Sequence, residues 1–470
     1  MTETDEIAFM SASELVRRYA DGSLSPVEAS KAAISRIETH NEKINAFALV
    51  DRERALRTAA ESETRWRRKE PLGPIDGVPL SVKDTLMVKG YPFRRGSRAT
   101  ATDPVRESAP IVDRAFEAGG IMLGITTTPE FGAGPITISP LTGITRNPWD
   151  LDKNSGGSSG GAAASIAAGM GQIALATDAG GSIRIPSALC GVVGMKVTGG
   201  RLSTYPPNVA GTLSSPGPIT RSVEDTALAL SAISSPDVRD VDALPPDSDC
   251  DYVRSIAGGI KGLRVAFTTT LGYAPKVHPE IIAAVRRAAK QFEALGATVE
   301  ETHPEVKNPI DFFLTLFRSG FAYSVRNFST DQFAVIGDQL RNVVEHGRNV
   351  TALEYLSAQD ERRALARAFQ SFFQDYDLLL SPTCAVPAFT ADRWTPEDFA
   401  EFEDSRAWTP FGYPFNMTQQ PAISVPCGFT EAGLPIGLQI IGPRFADRLI
   451  LRAARAYETH SPSQGIRIPF

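Results

Sequence analysis

The sequence predicts an α/β domain whose sheet is covered on both faces, and three observations carry that prediction. Short apolar runs that read as strands alternate along the chain with helical patterns. The run QIALATD at 172–178 reads as a buried strand. Of the 470 residues, 42% are hydrophobic and 22% charged, which is globular composition with ample material for a large core.

The elements follow in order. The first sixty residues read as helical. Ser11 with Glu14, and Ser25 with Glu28, match the capping-box pattern, and Pro26 takes the favoured first helical position. A Gly/Pro-rich stretch at 71–79 leads into LSVKDTLMV, a strand running into a loop. Residues 110–123 predict a helix, closing on a strand in GGIMLGIT. From 131 to 161 the chain is poor in charge and rich in Gly, Ser, Thr, Pro and Asn. A helix (GAAASIAAGMG), the strand QIALATD, the turn AGGS and the strand GVVGMKVT come next. Residues 233–262 read as a loop, KGLRVAFTT as a strand and 278–295 as a helix. Residues 307–375 are mostly helical and carry many aromatics. YDLLLSPT, PAISVPCGF and LPIGLQIIG read as core strands, and FADRLILRAARAYE as a closing helix.

Composition excludes several functions. The net charge is −6 and basic residues are scattered apart from short runs such as 65–69 and 94–98, so a nucleic-acid face is not expected. No apolar run reaches the ~18 residues of a membrane span. The N-terminus lacks the pattern of a secretory signal. Cys190, Cys250, Cys384 and Cys427 lie far apart and read as reduced thiols of a cytoplasmic protein. The five histidines show no ligand spacing, so neither a metal nor a cofactor is expected.

Two glycine-serine clusters stand out, at 156–161 and 178–184. Glycine turns between regular elements can aim several backbone N–H groups at one point, which suits an anion or a developing oxyanion. Three chemistries compete for them. A phosphate-binding loop lacks its Lys. A hydrolase elbow matches GxSxG with Ser158 at its centre, but RNPWDLDKNS precedes it instead of an apolar strand. A serine served by a lysine needs that lysine neutral, and burial does this by disfavouring the charge. Lys83 has Val78, Leu80, Val82, Leu86 and Met87 around it in sequence.

The segments GGSSGGAAASIAAG and ATDAGGSIRIPSALCGVVGMKVT closely resemble the amidase signature family. Further matches are PIDGVPLSVKD (74–84), TRNPWD (145–150), GPITRSVEDTALAL (217–230), SPT (381–383) and QPAISVPCGF with GLPIGLQIIGP (420–443), so the resemblance covers most of the chain in order. It implies a single large α/β/α domain around a twisted mixed sheet. The signature core would span about 74–230, with a variable helical pocket region at about 300–400. It implies a Ser–cis-Ser–Lys triad: Ser182 the nucleophile, Ser158 the bridging serine after a cis Gly157–Ser158 peptide, and Lys83 the base. Backbone N–H groups of Ala179, Gly180, Gly181 and Ser182 would form the oxyanion hole. Ser159, Asp178 and Arg184 are supporting residues, and Ser187 a weaker one. A plain structural ion pair is an equal reading of Asp178 and Arg184.

The implied function is hydrolysis of a carboxylic amide through an acyl-enzyme, with anilides, esters and carbamates open to the same chemistry. The expected partner is a small-molecule amide, with neither nucleic acid nor membrane; a homodimer is left open. Two alternatives stand beside it: an A-type subunit of a transamidation complex, and an esterase using Ser158. The chain reads TTTPEF at 126–131 where many members have Thr-Asn, and KVTGGRLS and SSPGP lack the fuller amidotransferase motifs. Tyr205, Phe317, Phe321, Trp408, Phe411 and Phe415 are expected pocket walls.

Overall fold

The structure, a computed structural model, describes residues 2–247, 251–402, 406–461 and 468. An eleven-stranded sheet runs through it. In chain order its strands are β1 (Phe47–Val50), β2 (Pro79–Lys83), β3 (Ile121–Thr126), β4 (Ile173–Asp178), β5 (Val193–Lys196) and β6 (Ser215–Thr220). They continue with β7 (Arg264–Phe267), β8 (Thr298–Glu301), β9 (Leu378–Pro382), β10 (Ala422–Phe429) and β11 (Pro435–Ile441). Their order across the sheet is β1-β3-β2-β4-β6-β5-β10-β11-β9-β7-β8. Parallel pairs (β2 with β3 and β4; β7 with β8 and β9) mix with antiparallel ones.

Both faces are covered, as the sequence predicts. Successive strand residues point to opposite faces. On β4, Ile173 and Leu175 enter one apolar cluster with Val223 and Leu230 of helix Val223–Ile233 and with Ile450 and Leu451 of helix Asp447–Glu458. Ala174 and Ala176 enter another, with Ala162, Ala163 and Ile166 of helix Gly160–Ala167. A third cluster joins helices Ile310–Ser324, Asp338–Arg348 and Ala352–Asp375 through Phe313, Phe321, Val344 and Phe369.

Local signals worked where their chemistry is specific. The Ser25–Glu28 capping box and Pro26 open helix Pro26–Ile44. At Ser11 only half of the box forms: the hydroxyl accepts from Glu14 N, while the Glu14 carboxylate turns to Arg17 and Arg18. Three elements differ from the reading above. Asp150–Asn154 is a strand, but a polar one in a two-stranded ribbon outside the main sheet. Strand β1 interrupts the N-terminal helical stretch, which resumes in helix Arg52–Arg68. Residues 215–220 form β6 near the middle of the sheet despite Pro216 and Pro218. Proline is usually confined to sheet edges because it cannot donate to a ladder. Here β6 pairs with β4 along its whole length but with β5 only at Ile219 and Thr220, so both prolines lie beyond that second ladder. No helix is long and apolar enough to cross a membrane among the described residues.

Candidate active site

Strands β2 and β4 run parallel as neighbours, with Val82 opposite Leu175. Lys83 and Asp178, the last residues of these strands, therefore emerge at the same carboxyl end of the sheet, where open α/β folds place their ligands. Lys83 is fully buried. Its Nζ donates to Ser158 Oγ at 2.7 Å and Ser159 Oγ at 2.8 Å, with longer contacts to Thr177 Oγ1 at 3.3 Å and Thr177 O at 3.4 Å. Burial pushes the ammonium down to about 7, against the Asp178 charge, which favours it. A good part of Lys83 is thus neutral at neutral pH and able to accept a proton.

Ser158 and Ser159 immediately precede helix Gly160–Ala167, and the Gly157–Ser158 peptide is cis. Ser159 N donates to Ser182 O at 3.1 Å, which ties the first glycine-serine loop to the second. Ser158 is buried, whereas Ser182 is half-buried and open to a ligand. Among the described residues, the Ser182 hydroxyl has no hydrogen-bond partner.

The second loop is held by Asp178. Its carboxylate accepts from the N–H groups of Gly181 (2.7 Å), Ile183 (3.1 Å) and Arg184 (3.4 Å), and takes a bidentate pair from the Arg184 guanidinium at 3.0 and 2.9 Å. Arg184 also donates to Gln439 Oε1 and Asn416 Oδ1, each at 2.7 Å, and Asn416 Nδ2 returns to Asp178 Oδ1 at 2.9 Å. Burial alone would raise the Asp178 carboxyl, but the Arg184 charge and these bonds hold it well below the carboxylate range. Of the four N–H groups expected to face an oxyanion, that of Gly181 is engaged by Asp178. Those of Ala179, Gly180 and Ser182 find no partner among the described residues.

The loop is also confined sterically. A Cβ on Gly412 would lie 2.4 Å from Gly180 O. Gly412→Ala is expected to displace the 178–184 loop, with a stability loss of about 1–3 kcal/mol and a fall in kcat that exceeds any rise in KM. Steady-state kinetics beside urea unfolding check this; a variant with wild-type kcat would contradict it.

The amidase family model matches residues 28–451. The chain belongs to the amidase family. An acylamidase of Rhodococcus erythropolis is 39% identical, over 98% of this chain and 97% of that protein. The A-type chain of the glutamyl-tRNA(Gln) amidotransferase of Moorella thermoacetica is 36% identical, over 96% and 97%. Among solved structures, a bacterial aryl acylamidase of the amidase signature enzymes superposes with a TM-score of 0.91 at 30% identity, covering 97% of both chains. A 6-aminohexanoate cyclic dimer hydrolase complexed with substrate gives 0.90 at 30%, covering 98% and 99%. These matches place the chain among amide-hydrolysing enzymes, on the α/β fold that the sequence predicts.

In this amidase the remaining residues sort as follows. Five of the six expected pocket aromatics, Phe317, Phe321, Trp408, Phe411 and Phe415, are buried core side chains instead. Their helical and turn spacing packs rings against rings, as in Phe317–Phe321 at 4.5 Å. Tyr205 alone of the six borders the cleft beside the site. Thr127 bonds Thr145 Oγ1 at 2.6 Å, and Glu130 bonds Ser97 Oγ and Gly337 N, each at 2.6 Å, so both brace loops. Ser187 donates to Ile183 O, at the cap of its own helix. Cys190, Cys384 and Cys427 are free and buried; Cys250 lies outside the described residues. Sequence reasoning missed Thr85 and Thr177, whose hydroxyls meet at 3.0 Å beneath Lys83, as well as Asn416 and Gln439. Gln439 lies inside the quoted GLPIGLQIIGP segment, so the resemblance could have flagged it. Asn416 lies in YPFNM, which carries no motif.

Proposed function

We propose that this protein hydrolyses linear, non-peptide carboxylic amides of small molecules, anilides included, through an acyl-enzyme on Ser182. The observation that carries the reading is the buried, partly neutral Lys83 hydrogen-bonded to Ser158 beside the half-buried Ser182. Ser182 Oγ attacks the carbonyl carbon and passes its proton to Ser158, which passes its own to Lys83. The N–H groups of Ala179, Gly180 and Ser182 receive the oxyanion, and Asp178 with Arg184 fixes their geometry. The same relay, reversed, protonates the leaving nitrogen; the C–N bond breaks and the amine departs. Water then enters, loses a proton to the relay and releases the acid. The helical region at about 300–400 shapes the substrate pocket, and the signature core at about 74–230 carries the chemistry. The acylamidase and aryl acylamidase likenesses support an acyl-amide or aryl-amide substrate.

One other reading has a specific ground, and one is disfavoured. The amidotransferase relatives favour a transamidation role, which predicts copurifying partner chains and tRNA-dependent turnover. An esterase on Ser158 is disfavoured, because Ser158 is buried against Lys83 and no suitable histidine serves it. His278 caps the helix it precedes, and His303, His346 and His460 bond backbone carbonyls.

An activated fluorophosphonate with intact-mass readout tests the nucleophile. One adduct is expected on wild type and on no Ser182→Ala protein, with turnover of anilides and primary amides lost in parallel. Labelling that persists in Ser182→Ala and disappears in Ser158→Ala would transfer the role to Ser158.

A further inference from the structure

Beside the triad lies a cleft bordered by Thr85, Phe131, Thr177, Tyr205 and Val209, and a single charged residue, Arg95, lines it among the described residues. Its floor is continuous with the site: Thr85 Oγ1 meets Thr177 Oγ1 at 3.0 Å, and Thr177 Oγ1 meets Lys83 Nζ at 3.3 Å. Next to Phe131 in sequence, Gly132 abuts Ser158; a Cβ there would be 3.2 Å from Ser158 Oγ.

Arg95 is held in place without being satisfied. Its guanidinium carbon sits 3.9 Å from the centroid of the Phe131 ring and 5.5 Å from that of Phe93. Phe131 N donates to Arg95 O at 2.7 Å. Arg95 and Phe131 both adopt left-handed backbone, at φ 53° and 55°, a conformation that bulky side chains rarely occupy. Such outliers persist where the surrounding structure enforces them, and they cluster at ligand sites. The neighbouring Arg94 is anchored by bonds to Thr100 Oγ1 and Ser97 O. The Arg95 guanidinium makes no hydrogen bond or ion pair among the described residues. Asp84, the acid whose charge acts on Arg95, is turned to the backbone N–H groups of Gly96, Arg95 and Arg94. Burial pulls Arg95 down to about 10, against the Asp84 charge, and it remains cationic at neutral pH. A cation that is stacked, oriented and unpaired in a cleft without acidic lining has its hydrogen-bonding fork free for an anion.

We propose that Arg95 is a specificity residue that receives a carboxylate carried by the amide substrate, which makes the preferred substrates of this amidase acidic amides. The inference rests on the reading of Ser182 as the site of acylation. Carboxylate capture involves no covalent step and leaves the relay unchanged.

The test uses two isosteric pairs. Succinyl 4-nitroanilide and 4-oxopentanoyl 4-nitroanilide place the charge on the acyl side. 4-Acetamidobenzoate and 4-acetamidoacetophenone place it on the amine side. Binding to Ser182→Ala protein is measured by calorimetry, which needs no turnover. In at least one pair the acid is expected to bind about tenfold tighter or better than its neutral partner, the range of hydrogen bonds to charged groups. Arg95→Met in the same background should bring that ratio to about one, Arg95→Lys should keep part of it, and Arg98→Met, at an exposed position, should keep all of it. The proposal fails if neither acid is preferred, if the preference survives Arg95→Met, if Arg95→Met weakens acid and ketone equally, or if none of the four binds. Nitroaniline release from the 4-oxopentanoyl anilide by wild type separately tests the amidase reading.

Discussion

Lys83→Met is expected to lower kcat/KM on an amide by about 10⁴-fold, the loss typical of removing a general base from a coupled relay. The same change is expected to raise the stability of the fold. Both effects have one cause. Lys83 is buried in a site that disfavours its charge, and its folded value is about 7 against an ordinary 10.5. In the proposed relay it is the neutral form that accepts the proton, and its fraction grows with pH. Wild-type kcat/KM should therefore climb about tenfold per pH unit below about 7 and level off above it. The variant should lose that limb. For stability the sign is opposite. Between the two values the unfolded chain holds a proton that the folded chain does not, so lysine destabilises the fold increasingly as the pH falls from 10.5, with the full penalty reached below about 7. Methionine removes this penalty, worth of the order of a few kcal/mol at pH 7. A pH–rate series and thermal melts from pH 7 to 10 check both halves. A variant within tenfold of wild type, or a wild-type profile flat from pH 8 to 5, would remove Lys83 from the base role. A lower melting temperature for the variant at pH 7 would mean that the bonds to Ser158 and Ser159 outweigh the burial cost.

How far this site could be read beforehand depended on whether a residue's partners are local. Lys83, Ser158 and Ser182 lie 75 and 24 residues apart, yet each sits in a motif with its own signature, so the resemblance aligned all three. The parallel β2–β4 register that brings Lys83 and Asp178 to one end of the sheet is a long-range fact, and only the alternation of strands and helices hinted at it. The bracing of Arg184 by Asn416 and Gln439, 232 and 255 residues away, left no local trace. Arg95 was visible only as part of a basic run. The role proposed for it rests on Phe131 stacking on it, a contact that depends on two left-handed residues no periodicity predicts. The aromatics failed in the opposite direction. A Phe at helical spacing reads alike whether its helix faces a cleft or a core, and Phe317 and Phe321 face the core. Strand β6 was hidden by Pro216 and Pro218, whose usual exclusion from sheet interiors is relaxed where the second ladder has ended.

Arg184→Met is the other change with a large expected effect. It should cost about 3–5 kcal/mol, because it leaves the buried Asp178 carboxylate without its counter-charge. Asp178 and Arg184 are almost wholly inaccessible, so little water can replace the lost partner. In wild type the Asp178 carboxyl is held below its ordinary 3.8. Its pairing therefore stabilises the fold above that value and fades as the pH falls beneath it. In Arg184→Met burial acts unopposed by the guanidinium and raises the carboxyl. The deficit of the variant should then shrink as acid protonates Asp178, so urea unfolding at pH 7 and pH 5 should bring variant and wild type closer together at pH 5. Asp178→Asn combined with Arg184→Met removes the stranded charge and should recover part of the loss at pH 7. Activity should not follow that recovery. The carboxylate also holds the N–H groups of Gly181 and Ile183 on either side of Ser182, and an amide oxygen accepts more weakly from them. A double variant that regains stability while kcat stays depressed would identify the pair as positioning the nucleophile loop. Recovery of both together would reduce it to a structural ion pair.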